Sequence, residues 1–143
     1  MPGNVPDRVF VDSGGWIALL SARDTHHAEA EGLFRTAISH RVRLLTTNLV
    51  IAETHRALLF RAGPAAALSA LDRIEASPLS ALTFVGAAEH TAALHWLRRL
   101  HDQDISYTDA ASFAVMTAAR CRAVLGFDRD FVIAGFTLWR SQR

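Results

Sequence analysis

The feature that most constrains this chain is the alternation of short β-branched or aromatic runs with longer stretches of helical period. Arg8-Val-Phe-Val-Asp12 is a compact apolar run of the kind buried inside a sheet. Arg43-Leu-Leu-Thr46, Leu79 to Val85, Ala123 to Gly126 and Phe136 to Trp139 read as further strands. Between them, helices are expected over Trp16 to Ser21, His26 to His40, Leu49 to Ala62, Pro64 to Ala76, Gly86 to His101 and Ser106 to Ala119. In the second of these, Ala30, Leu33, Phe34, Ala37 and Ile38 recur at helical spacing. Ser13-Gly-Gly15 predicts a turn, and Pro64 takes the first-turn position that proline favours. Ser106 with Asp109 three residues on reads as a capping box. The stretch after Gly126 is polar and predicts no element before Phe136. Strands that alternate with helices pair in parallel, because each crossover must return to the same end of the sheet. The expectation is an α/β fold in three layers, α/β/α, around a central, mostly parallel sheet of about five strands. It forms a single domain over residues 1–143, without linker or internal repeat.

Composition removes several functions. Half of the 143 residues are hydrophobic, enough for one core without staples. The lone cysteine, Cys121, rules out an intrachain disulfide and a zinc site built on several thiolates. It is expected to be a small buried hydrophobe. No run approaches the roughly 18 apolar residues of a membrane span. The segment MPGNVPDRVF lacks the basic start and apolar core of a signal peptide. A soluble, cytoplasmic protein without a membrane partner is therefore expected. The net charge of +1 gives no whole-chain footprint for nucleic acid. All 15 basic residues are arginine, whose planar fork suits phosphate; compositional bias would also explain the usage without function. The absence of lysine excludes a phospho-accepting receiver domain, which uses a lysine beside its aspartate. A dehalogenase-type phosphotransferase needs a second aspartate two residues after the first, and Gly14 stands there.

The acidic residues fall at one place in this scheme. In sheets of parallel strands, ligands sit beyond the carboxyl ends of the strands. Asp12 ends the first strand, where a carboxylate is costly to bury unless something positive faces it; capping the next helix is the alternative. Glu53 stands one turn into the helix after the second strand, among Leu49, Val50, Ile51 and Ala52; a solvated helix face would also explain it. Asp109 lies in the first turn of its helix, where capping and the helix dipole would account for it. Asp128 and Asp130 follow the strand at Ala123, and a surface turn would explain either. Together, these acids converge on one rim. Clustered carboxylates repel, and a hard divalent cation such as Mg²⁺ or Mn²⁺ removes that penalty. Such a site can activate water against a phosphodiester.

Four stretches carry a resemblance to a known family: VFVDSGGWIALL, TTNLVIAETHRAL, SYTDAASFAVM and GFDRDF. Their order and spacing resemble the PIN-domain family, and more narrowly the VapC-type toxins of toxin–antitoxin pairs. The resemblance implies a PIN-like fold and Mg²⁺- or Mn²⁺-dependent cleavage of RNA. It further implies a homodimer and inhibition by a small cognate antitoxin protein. The family's four acids match Asp12, Glu53, Asp109 and Asp128, which would bind metal and carry catalysis. Where the family often has a threonine before the fourth acid, this chain has Gly126, and Asp130 competes with Asp128 for that role.

Supporting roles are expected for Ser13 and Thr108, near metal-bound water or as caps. Asn48 would touch substrate or cap the helix of Glu53. Arg23, Arg56 and Arg129 would meet RNA phosphates or solvent. His26, His27, His55 and His101 form no ligand pattern on one helix face and are expected at the surface or satisfied in the core. The apolar helices between Trp16 and Ala76 offer a groove for the antitoxin. The competing reading is a non-catalytic PIN-like module that binds RNA or protein.

Overall fold

The computed structural model describes residues 5–141. Residues 1–4, which belong to the segment read above for a signal peptide, lie outside the described residues. The strands are β1 (Arg8–Val11), β2 (Arg43–Thr47), β3 (Ser80–Thr83), β4 (Ala123–Leu125) and β5 (Thr137–Leu138). The helices are α1 (Ser13–Leu20), α2 (His27–Ser39), α3 (Asn48–Ala62), α4 (Pro64–Ala76), α5 (Ala87–Arg99), α6 (Tyr107–Ala118) and α7 (Asp130–Ile133).

All pairings are parallel, and the strand order is β3-β2-β1-β4-β5. The chain steps outward from β1 to β3, then returns to the other side of β1. Right-handed crossovers therefore put α1 to α4 on one face and α5 to α7 on the other. Helix contacts follow that division: α1 packs on α2 and α3, α3 on α4, α5 on α6 and α6 on α7. The direction of winding reverses between β1 and β4, which opens a crevice at their carboxyl ends. The expected α/β architecture of three layers and five strands is thus the observed one, with every strand parallel.

Val9, Phe10 and Val11 are fully buried, because β1 is the central strand and helices cover both of its faces. On one side Phe113 meets Phe131 edge to face at 5.1 Å and Trp96 at 5.3 Å. On the other, Trp16 packs 5.3 Å from Phe34 and donates its indole N–H to Thr46 Oγ1 at 3.3 Å. Thr46 in turn donates to the Val11 carbonyl at 3.2 Å, so this buried hydroxyl is satisfied and ties β2 to the end of β1. Cys121 is buried as expected, and burial pushes its thiol above the ordinary value.

Three expectations need correction. Ser13-Gly-Gly15 is not a turn but the opening of α1: the Gly15 and Trp16 N–H groups donate to the Asp12 carbonyl at 3.0 and 3.1 Å. Gly15 marks a close approach to the Leu125 backbone, which imitates a turn signal in sequence. The stretch after Gly126 contains the short helix α7, too brief to show a period. The strands expected over Leu79–Val85 and Phe136–Trp139 shrink to Ser80–Thr83 and Thr137–Leu138, since only their middles are paired. The helices α2 and α6 both end in a left-handed residue, Arg41 (φ 54°) and Arg120 (φ 53°). Each is closed by the same bond, from Val42 N–H to Ala37 carbonyl and from Cys121 N–H to Met116 carbonyl.

Gly15 fixes how closely α1 can lie on β4. A Cβ there would fall inside contact distance of the Leu125 carbonyl oxygen and 2.8 Å from Leu125 Cδ2. At Gly14 it would meet Phe127 Cδ2 at an ordinary 3.7 Å. Denaturant titration should show Gly15→Ala destabilised by about 3 kcal/mol from overpacking. Gly14→Ala should be neutral or stabilised by up to about 1 kcal/mol through helix propensity.

Candidate active site

Asp12 leaves β1 with its backbone held on both sides. Its N–H donates to the Leu125 carbonyl at 3.1 Å, and its carbonyl starts α1. The residue is only 4% exposed, and its Oδ1 is buried with no hydrogen-bond partner. Asp109 is 6% exposed in the first turn of α6. Ser106 Oγ accepts from the Asp109 N–H at 3.0 Å, so the cap is made by Ser106 and leaves the Asp109 carboxylate to face the crevice acids. Asp128 is exposed in the turn between β4 and α7, where its Oδ1 accepts from the Asp130 N–H at 2.9 Å. One carboxylate oxygen each from Asp12, Asp109 and Asp128 lies within 4.8 Å of the others.

Glu53 is half-buried on α3 and stands outside that group of three oxygens, yet its charge acts on both Asp12 and Asp109. Asp130 opens α7 and also lies outside the group. Burial first, and the Asp128 charge second, raise the Asp130 carboxyl above its ordinary value.

The electrostatics of the cluster are unbalanced. Burial is the largest cause that lifts Asp12 from 3.8 to about 7; the Ser13 backbone N–H pulls against it, and the charges of Glu53 and Asp128 add to it. Asp109 is raised too, by burial first, then by the charges of Asp12 and Asp128 and its contact with Asp128. Among the described residues, no ion pair reaches Asp12, Glu53, Asp109 or Asp128. Oxygen-only donors, a buried acceptor without a donor and mutual repulsion suit a hard divalent ion. Asp12, Asp109 and Asp128 are the residues that could hold it, with Glu53 beside them.

The remaining candidates separate. Ser13 lies at the site through its backbone N–H. Thr108 is half-buried beside Asp109, and its carbonyl accepts from Ser112 Oγ at 3.0 Å. Asn48 is not the cap of α3: Thr47 is, accepting from the Val50 N–H at 3.1 Å. Asn48 Oδ1 instead accepts from the Val85 N–H at 2.8 Å and ties α3 to the segment after β3. Arg23, Arg56 and Arg129 are exposed, and Arg56 lies over the Phe60 ring. His101 is exposed, His55 is half-buried on α3, and His27 Nδ1 pairs with the Ala18 carbonyl.

Two residues passed over in the sequence hold the turn that carries Asp128. Phe127 stacks on His26 at 3.9 Å between ring centroids, and the Arg140 guanidinium lies over the same ring at 4.8 Å. Arg140 Nη1 also donates to the Gly126 carbonyl at 2.9 Å. The only sequence signal was an aromatic residue next to an acid; Arg140 lies too far along the chain to suggest itself. Gly126 faces the site directly, because a Cβ there would lie 3.1 Å from the Asp12 Cβ.

An all-parallel sheet of this winding, with an acid cluster at its switch point, defines a PIN-type nuclease scaffold. The PIN-domain family matches residues 9–136, and the chain belongs to that family. Among its relatives is the 23S rRNA-specific endonuclease VapC20 from two strains of Mycobacterium tuberculosis. It is 36% identical over 134 residues, which cover 94% of this chain and 99% of the relative. The crystal structure of Mycobacterium tuberculosis VapC20, a toxin that cleaves the sarcin-ricin loop, superposes with a TM-score of 0.83 at 34% identity. That match covers 93% of this chain and 99% of the other.

A carboxyl raised in the fold makes stability fall with pH. Below about 4, Asp12 is protonated in both states; between 3.8 and about 7 only the folded state keeps the proton, so the fold loses stability across that window. In metal-free buffer, Asp12→Asn should therefore melt higher than wild type at pH 8, by about 5 °C. The gap should close toward pH 4, and millimolar Mn²⁺ should narrow it for wild type alone. Equal melting curves for both proteins at every pH would contradict this account.

Proposed function

We propose that this chain is a divalent-metal-dependent endoribonuclease and the toxin of a toxin–antitoxin pair. The observation that carries this reading is the buried, partnerless Asp12 Oδ1 within a tight group of Asp12, Asp109 and Asp128 oxygens. When bound, Mg²⁺ or Mn²⁺ would activate water and stabilise charge on the phosphodiester under attack. Asp12 and Asp109 supply rigid anionic oxygens, because strand and helix backbone fix both. Asp128 supplies a third from an exposed turn, open to an entering strand of RNA. Glu53 adds negative charge beside them and is the half-buried acid free to accept a proton from the attacking water. Ribosomal RNA is the substrate class we extend to this chain from its 36% identical relative. A non-catalytic module is disfavoured because the acids converge without a structural counter-charge.

The antitoxin part of the proposal has a surface to act on. A cleft of about 510 Å³ runs between α1, α2 and α4, with Trp16, Leu20, Phe34, Ile38 and Ile74 in its lining. Ile38 is 64% exposed there, which is costly for a free surface and natural for one that a partner helix covers. A homodimer and a cytoplasmic site of action complete the proposal. Among the described residues, no helix is long and apolar enough to cross a membrane.

Cleavage of total RNA with Mg²⁺ or Mn²⁺ should fall by about 100-fold or more in Asp12→Asn and in Asp109→Asn. Asp130→Asn, outside the oxygen group, should keep its rate within a few-fold. Undiminished cleavage by both of the first two variants would sink the assignment. Expression of wild type should arrest growth, and co-expression of the cognate antitoxin should relieve it. Ile38→Asp should still cleave RNA yet escape that relief; full relief would move the antitoxin elsewhere.

A further inference from the structure

Five arginines that the acid site does not use gather at the opposite end of the sheet. Arg8 opens β1, Arg43 opens β2, and Arg122 precedes β4. Arg41 and Arg120 lie two residues before Arg43 and Arg122, in the turns that end α2 and α6. All five are exposed. They line two concavities of about 610 and 410 Å³ that meet at Asp7 and Arg8, with Asp7 the single carboxylate in either lining. Among the described residues, none of the five is in an ion pair. Arg8 and Arg43 are paired neighbours on adjacent strands, where like charges oppose folding.

The backbone adds a second, independent observation. Arg41 and Arg120 occupy left-handed positions that glycine holds without strain. The fold thus places an arginine twice where local structure favours a residue with no side chain. Such strain points to a use for the side chain.

We propose that this rim is a second RNA-binding site, which holds backbone phosphates at a distance from the acid cluster. The proposal rests on RNA being the substrate. The five arginines run as a row across β2, β1 and β4, at strand spacings of about 4.8 Å, and not as one pocket. A row of planar forks fits a linear chain of phosphates. Phosphate contacts of this kind position an RNA without reading its bases. The four residues of β1 separate the row from Asp12 by about 13 Å. A short strand that fills the acid site does not reach the arginines, whereas a large folded RNA touches both ends of the sheet. The arginine row thereby favours large folded substrates over short ones.

The test uses the full chain carrying Arg41→Gly, Arg43→Gln, Arg120→Gly and Arg122→Gln. The two glycines relieve strain, so the melting temperature should not fall and lost binding cannot be ascribed to unfolding. Binding of a labelled ribosomal RNA fragment is measured in EDTA, in the Asp12→Asn background, over a range of salt. The arginine variant should bind about tenfold or more weakly, with a log–log salt slope shallower by about 3. With Mn²⁺ and otherwise wild-type sequence, it should cleave a short oligonucleotide as wild type does, and the long RNA with a KM raised by about tenfold. Unchanged affinity, slope and KM would overturn the proposal. Displacement of the RNA by polyglutamate at equal charge would overturn it in favour of an acidic polypeptide partner. Arginine-dependent binding by a wild type that cuts nothing would overturn the nuclease reading and leave this site standing.

Discussion

The acid cluster depends on one costly burial: the carboxylate of Asp12 at the end of the central strand. β1 is central, and Val9, Phe10 and Val11 before Asp12 have no exposure. The strand ends inside the fold, so the side chain that follows it is buried with it. Nothing cationic among the described ion pairs balances that charge. The arrangement exchanges stability of the empty fold for a prepared anionic site, a recognised feature of catalytic centres. The surrounding structure holds Asp12 there through its neighbours: the Leu125 carbonyl takes its N–H, and α1 starts from its carbonyl.

The fold was legible because its signals were strong and local. Val9-Phe-Val11 and Leu44-Leu45 could only be buried strands, and the long helices carried clear periodicity. Alternation then forced parallel pairing, and the winding followed. Elements failed to show where an interaction distant in sequence decides them. Gly15 resembled a turn residue because its reason, the nearness of Leu125, lies more than a hundred positions away. α7 is a single turn whose N–H is caught by the Asp128 side chain, and no period can register in so short a piece.

The site was legible as a set of residues and not as a geometry. Strand ends and helix starts named Asp12, Asp109 and the Asp128–Asp130 pair, but only the turn after β4 decides which of that pair faces the crevice. There Asp128 joins the oxygen group while Asp130 starts the helix. Glu53 sits beside the group and not within it, since α3 carries it from the flank. His26 and Arg140, from two distant parts of the chain, hold that turn through Phe127. Sequence spacing cannot reveal a clasp of this kind, because its members share only a place in space.

The pairing of β1 with β4 carries a consequence in time. Asp12 is synthesised more than a hundred residues before its backbone partner Leu125 and its site partner Asp128. Local helices can form on the growing chain, whereas the switch point must wait for β4. Until β4 slots in beside β1, the acids share no crevice and a nascent chain has no complete site. A chain proposed to cut ribosomal RNA thus cannot assemble its acid cluster before β4 has left the ribosome that makes it.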